Sequence, residues 1–220
     1  MEEIFTSHSD LFAMASQNHP FIKGCQKGTI NQLQLNIWLL QDYKFMPHYV
    51  DFIKNLALIA PDGDKKGFWE EKACVAAEAM SNLMLAAIKK RGLSQLGSQY
   101  PATTRLIDFL ELLKSRSYAV QVFAHFLFLK VYEDVWEYLR YLIVNGIPTD
   151  VDRAHYLDQK LTLNPGFVNM LGHIELIAKR ELESGACDLD EASLVFEDIM
   201  TLEIGFWNLA FEMGQLDDFN

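Results

Sequence analysis

Apolar residues recur at helical spacing through most of this chain, and the clearest stripe lies in residues 31–60. Asn31 can cap a helix that Pro61 stops. At 3.6 residues per turn, Leu35, Trp38, Leu39, Phe45, Met46, Tyr49, Ile53 and Leu56 share one face. Pro47 lies inside it and lacks an N–H, so a bend is expected about one turn past Asp42. Ahead of this helix, a short apolar segment ends at Gly28, and Ile4, Phe5, Leu11, Phe12 and Ala15 predict a first helix over 2–17.

The same pattern continues downstream. Pro61-Asp62-Gly63-Asp64 reads as a turn. Residues 68–90 form an Ala-, Met- and Leu-rich helix, with Lys89, Lys90 and Arg91 at its C-terminal end and Gly92 closing it. Leu93 to Tyr100 reads as a loop, and Pro101 opens a helix to about 115. Ser117 caps an almost wholly apolar helix to about 144. Further helices are predicted over about 150–161, over 165–183 behind Asn164-Pro165, and over 190–213, with a frayed tail. No segment alternates at period two and no hairpin turn stands out. The expectation is an all-α, single-domain bundle over 1–220, whose long helices wall a pocket.

Composition narrows the function. Half of the 220 residues are apolar and 12% are aromatic, enough for a thick core or an aromatic-lined pocket. The net charge of −11, with no basic cluster beyond Lys89-Lys90-Arg91, argues against nucleic acid as a partner. Cys25, Cys74 and Cys187 are widely spaced and form no disulfide framework, which fits a reducing compartment. The longest uncharged apolar run, Ser117 to Leu129, is too short to span a bilayer, and no secretory leader is evident. A cytoplasmic protein without membrane contact is expected.

Two acids interrupt this apolar pattern. Asp42 sits at the centre of the long stripe, between Trp38 and Leu39 on one side and Phe45 and Met46 on the other. Glu203 has a matching setting on the last helix, with Ile199 and Met200 one turn before and Phe206 and Trp207 one turn after. Burying a charge without partners costs several kcal/mol, roughly, so either the fold or a ligand must supply donors. Each acid is therefore paired with a basic or hydrogen-bonding neighbour, or both line one cavity. In a shared cavity they suit a flat, cationic or amidine-like heterocycle, with rings stacking on Phe and Trp and carboxylates taking N–H groups. Desolvation would fit one acid for proton transfer.

The same residues carry a family resemblance. His19-Pro20-Phe21, Lys27-Gly28-Thr29, the W-x-x-QDY block (Trp38, Gln41, Asp42, Tyr43) and the late E-x-x-FW block (Glu203, Phe206, Trp207) resemble the TenA (thiaminase II) family over roughly 10–215. The resemblance implies a heme-oxygenase-like helical bundle without heme, hydrolysis of an aminopyrimidine or thiamin in thiamin salvage, and a dimer or tetramer. It makes Asp42 the ring-holding acid and Glu203 the residue that manages protons for the leaving amine. Other positions depart from the family pattern. Phe45 stands where the family often has Tyr, His125 where its bacterial members have a Cys nucleophile, Leu129 where others have Glu, and Leu106 near a further Tyr; Tyr132 and Glu133 lie one turn beyond Leu129. On this resemblance ring binding is still expected, while hydrolysis by the family's known route is not implied.

The expected site is thus Asp42 and Glu203 as catalytic acids, with Asp42, Phe45, Trp207, His125 and Tyr132 around the ring. His125, between Val122 and Phe128, fits a satisfied core histidine or a base that orients water. Glu78 fits either the interior or solvent. Cys74 has no cation beside it in sequence, so a reactive thiolate is not expected. No paired Glu-x-x-His motif, Gly-rich phosphate loop or G-x-S-x-G occurs, so no metal or cofactor is expected. Alternatives are a heterocycle-binding protein without catalysis and an enzyme of the same fold with another substrate.

Overall fold

A computed structural model of the chain describes residues 1–62, 66–93, 97–144 and 165–213. Among these residues every regular element is helical: α1 Glu2–Ser7, α2 Ser9–Ala15, α3 Pro20–Lys27, α4 Gln32–Ile59, α5 Lys66–Phe68, α6 Cys74–Lys90, α7 Pro101–Leu113, α8 Tyr118–Val144, α9 Pro165–Glu183 and α10 Leu189–Met213. A π-helical turn, Trp69–Ala73, joins α5 to α6. The helix expected over about 150–161 and the tail after 213 lie outside the described residues.

Helix α4 is the hub. It packs on α6, α7, α8 and α10, while α9 lies along α8 and the N-terminal helices lie mainly on α10. Its start follows from Asn31, whose side chain accepts from the Gln34 N–H while the Gln34 side chain accepts from the Asn31 N–H, both at 2.9 Å. Gln34 also donates to the Phe211 carbonyl at 2.7 Å, so this cap ties α4 to α10. Asn31→Ala is expected to cost about 1 kcal/mol, seen as a fall of about 2–4 °C in melting temperature.

Two elements differ from the sequence reading. The first helix breaks at His8, whose Nδ1 lies 2.9 Å from the Ile4 carbonyl and whose Nε2 lies 2.8 Å from Glu197 on α10. The break thus coincides with a contact from His8 to the last helix. The helix expected from Phe68 starts instead with the π turn, which buries Trp69 completely and lets its indole N–H donate to the Tyr118 hydroxyl at 3.0 Å. Pro47 removes one bond within α4, yet the helix continues to Ile59.

Candidate active site

The faces of α4, α8 and α10 that meet do not close completely. They leave a cavity of about 120 Å³, completed by the start of α6, by Leu106 of α7 and by Phe167 and Met170 of α9. From α4 come Asp42, Phe45, Met46, Tyr49 and Ile53, which recur at the three- and four-residue spacing of one helix face. Helix α10 contributes Glu203, Phe206 and Trp207, and α8 contributes His125, Phe128, Leu129 and Tyr132. All six residues expected at the site therefore line one space. Leu106 and Leu129 also line it.

The two acids dominate its electrostatics. Neither makes a hydrogen bond or ion pair with any described residue, and both line the cavity. Burial pushes the Asp42 carboxyl up to about 7. Burial, and then the charge of Asp42, push Glu203 up to about 8. Near neutrality Glu203 thus keeps most of its proton while Asp42 is partly ionised. The remaining lining is mostly aromatic or aliphatic, so the charge stays poorly solvated.

The aromatic walls are fixed from behind. The Trp207 indole donates to the Ala15 carbonyl at 2.9 Å and stacks on Phe21 and Trp38, with centroids 5.3 and 6.2 Å away. Phe45 stacks on Tyr49 at 5.5 Å. Gln41, beside Asp42, turns away to hold the segment leading into α7: it accepts from Thr103 Oγ1 at 2.7 Å and from the Tyr100 N–H at 3.2 Å, and donates to the Ser98 carbonyl at 3.1 Å. Its neighbour thus helps fix the α4–α7 wall that Asp42 shares.

His125 does not present a base to the cavity. Its Nδ1 is hydrogen-bonded to the Tyr49 hydroxyl at 2.8 Å, and its Nε2 is sealed without a partner. Burial holds its pKa down to about 3, so the ring is neutral at ordinary pH. Tyr49 is the site residue the sequence reading left among plain core positions. Its signal was available in the i, i+7 spacing from Asp42, but on an aromatic stripe nothing distinguishes a cavity-facing Tyr from a packed one.

The remaining candidates lie elsewhere. Glu78 is exposed and pairs with Lys54 at 2.9 Å, and Glu133 pairs with Lys130 at 2.7 Å. None of the cysteines lines the cavity. Lys54 of α4 does act on Cys74 across the helix interface, a cation not visible from the sequence around Cys74. Burial outweighs it and raises the thiol, aided by Glu78 and Glu70. Among the described residues no three His, Cys, Asp or Glu side chains gather to hold a metal, and no helix is long and apolar enough to cross a membrane. A larger groove of about 870 Å³ lies outside the cavity between α6 and α9, sharing Ala76, Met80, Phe167 and Met170 with it.

A helical bundle with an internal, acid-bearing aromatic cavity defines the class: an all-α protein of heme-oxygenase-like fold, the fold of a domain of unknown function from Shewanella denitrificans. That domain is 16% identical, with TM-score 0.63 over 99% of this chain and 92% of its own. The chain belongs to the TENA/THI-4/PQQC family, whose model matches residues 8–160. Its fold is shared by a TenA homologue from Pyrococcus furiosus, at 19% identity and TM-score 0.82 over 95% of this chain and 98% of that one. It is also shared by a protein from Sulfolobus solfataricus described as a candidate TenA-like thiaminase, at 16% identity and TM-score 0.68 over 96% and 95%. No curated protein sequence gives a match.

Proposed function

We propose that the chain is a TenA-like hydrolase of thiamin-related aminopyrimidines, acting in thiamin salvage in the cytoplasm. The observation that carries this reading is the pair of unpartnered carboxylates in one ring-sized aromatic cavity. A cavity of ~150 Å³ holds a benzene ring, so 120 Å³ is on the scale of one bare six-membered ring, and ring substituents would reach toward the outer groove. The second ring of thiamin would have to extend past Met80 and Phe167 into the outer groove.

In the proposed reaction Asp42, ionised, accepts the N–H groups along the amidine edge of the ring while Trp207 and Phe45 flank it. Glu203 enters with its proton, since its carboxyl is held up to about 8. The bond between the ring methylene and the amine breaks. Glu203 protonates the departing nitrogen, water supplies hydroxide to the methylene carbon, and the water's remaining proton returns to Glu203. Ring–CH2–NH2 and water thus give ring–CH2–OH and ammonia. Among the described lining residues there is no Cys, Ser or Thr, so water is taken as the direct nucleophile.

That absence also favours a second reading, a heterocycle-binding protein that has lost turnover. Incubation with 4-amino-5-aminomethyl-2-methylpyrimidine and, separately, with thiamin, followed by mass spectrometry, separates the two. The expected result is the hydroxymethyl product, faster from the aminomethylpyrimidine than from thiamin. A raised melting temperature without product would establish the binder, and neither effect would overturn both readings. We further propose a homo-oligomer, dimer or tetramer, on the likeness to the TenA family; the exposed Val75, Leu58 and Leu176 do not contradict it. Light scattering that gives the monomer mass would refute it.

A further inference from the structure

We propose that Tyr49 is a further ligand-binding residue of the cavity, and that His125 is the positioning residue that turns the Tyr49 hydroxyl hydrogen toward the two acids and the ring held beside them. The inference deepens the aminopyrimidine reading above and rests on it for the identity of the ring.

A neutral imidazole has one proton for two nitrogens. On Nε2 that proton would be a donor sealed away from every acceptor. On Nδ1 it is donated to the Tyr49 oxygen across 2.8 Å, and the unused group is only a lone pair. Buried orphan N–H groups are rarer than under-used acceptors, so the Nδ1–H form is favoured.

This choice fixes the tyrosine. Having accepted from His125, its oxygen directs its own hydrogen elsewhere. The rings packed around it are Phe45, Phe52 and Phe128, which accept no conventional hydrogen bond. Among the described side chains lining the cavity the oxygen acceptors are Asp42, Glu203 and the Tyr132 hydroxyl, and Glu203 and Asp42 are the ones whose charges act on Tyr49. Burial and then the charges of Glu203 and Asp42 hold the Tyr49 phenol well above its usual range, so it remains a donor. The hydroxyl therefore presents its hydrogen where an incoming ring nitrogen or a carboxylate needs one. His125 acts entirely through this bond, since neither of its nitrogens is open to the cavity.

Two measurements test the proposal. In the ligand-free protein, imidazole 15N NMR between pH 5 and 8 should show His125 as the neutral Nδ1–H tautomer, without titration. In binding assays with 4-amino-5-aminomethyl-2-methylpyrimidine, Tyr49→Phe should weaken affinity about tenfold or more, the scale of one hydrogen bond in a charged network. His125→Leu should cost a similar factor, and the double variant no more than either alone, because one bond is being removed. Wild-type binding with no loss in Tyr49→Phe, or losses that multiply, overturns the proposal and leaves the functional reading standing. If the wild type binds no aminopyrimidine, the functional reading falls instead and the tautomer decides: Nδ1–H supports the positioned hydroxyl, and Nε2–H overturns it.

Discussion

At pH 8.5 the Asp42→Asn/Glu203→Gln double variant is expected to melt on the order of 10 °C above the unmodified protein, and to show no stabilisation by an aminopyrimidine. Both carboxyls titrate well above the ordinary acid range in the folded protein, at about 7 and about 8. Between roughly pH 4, where free carboxyls titrate, and those values, the folded state holds more protons than the unfolded chain. Stability then falls as pH rises through this window and reaches its floor above it. Two such shifts together amount to several kcal/mol, roughly. The amides carry no charge to desolvate, so the variant's melting temperature should stay nearly flat from pH 5 to 8.5. Near pH 4, where both acids are protonated, the two proteins should melt close together. A wild-type melting temperature that does not decline between pH 5 and 8.5 would mean the acids are solvated or paired, and the site as described would not exist.

Much of this site could be read from the pattern of side chains, because each acid stands in an apolar stripe where helical geometry alone says what surrounds it. Asp42 and Glu203 were locatable for that reason, and Phe45 and Trp207 followed as neighbours one turn away. Spacing within one helix cannot say which helices meet. That the two acids share a cavity depends on the contact between α4 and α10. The role of His125 was open for the same reason: only the packing of α8 on α4 brings Tyr49 to its Nδ1. The break at His8 accompanies a contact with Glu197, far along the chain, and the π turn accompanies the burial of Trp69 beneath Tyr118 and His125. Local propensity favoured an uninterrupted helix at both places, and a tertiary contact accompanies each departure from it.

Ala77→Leu is expected to abolish aminopyrimidine binding, by more than about 100-fold in affinity, while leaving the melting temperature of the free protein unchanged or a few degrees higher. Ala77 lies on α6 against α4 and lines the cavity. At about 24 cal/mol per Å³, an empty 120 Å³ represents roughly 3 kcal/mol of forgone packing. Three added carbons would recover part of it, at ~0.8 kcal/mol each for apolar burial, less the strain of fitting them. They would also occupy the space a ring needs. Apart from the two acids and His125, the neighbours of this void are residues that pack readily into a core, so its persistence is not forced by poor packing material. A chain that keeps both a hole and two unpaired acids facing it has given up stability there, as expected of a site proposed to take a ligand. Should Ala77→Leu bind the aminopyrimidine as well as the unmodified protein does, the ring is held elsewhere, and the outer groove between α6 and α9 becomes the place to look.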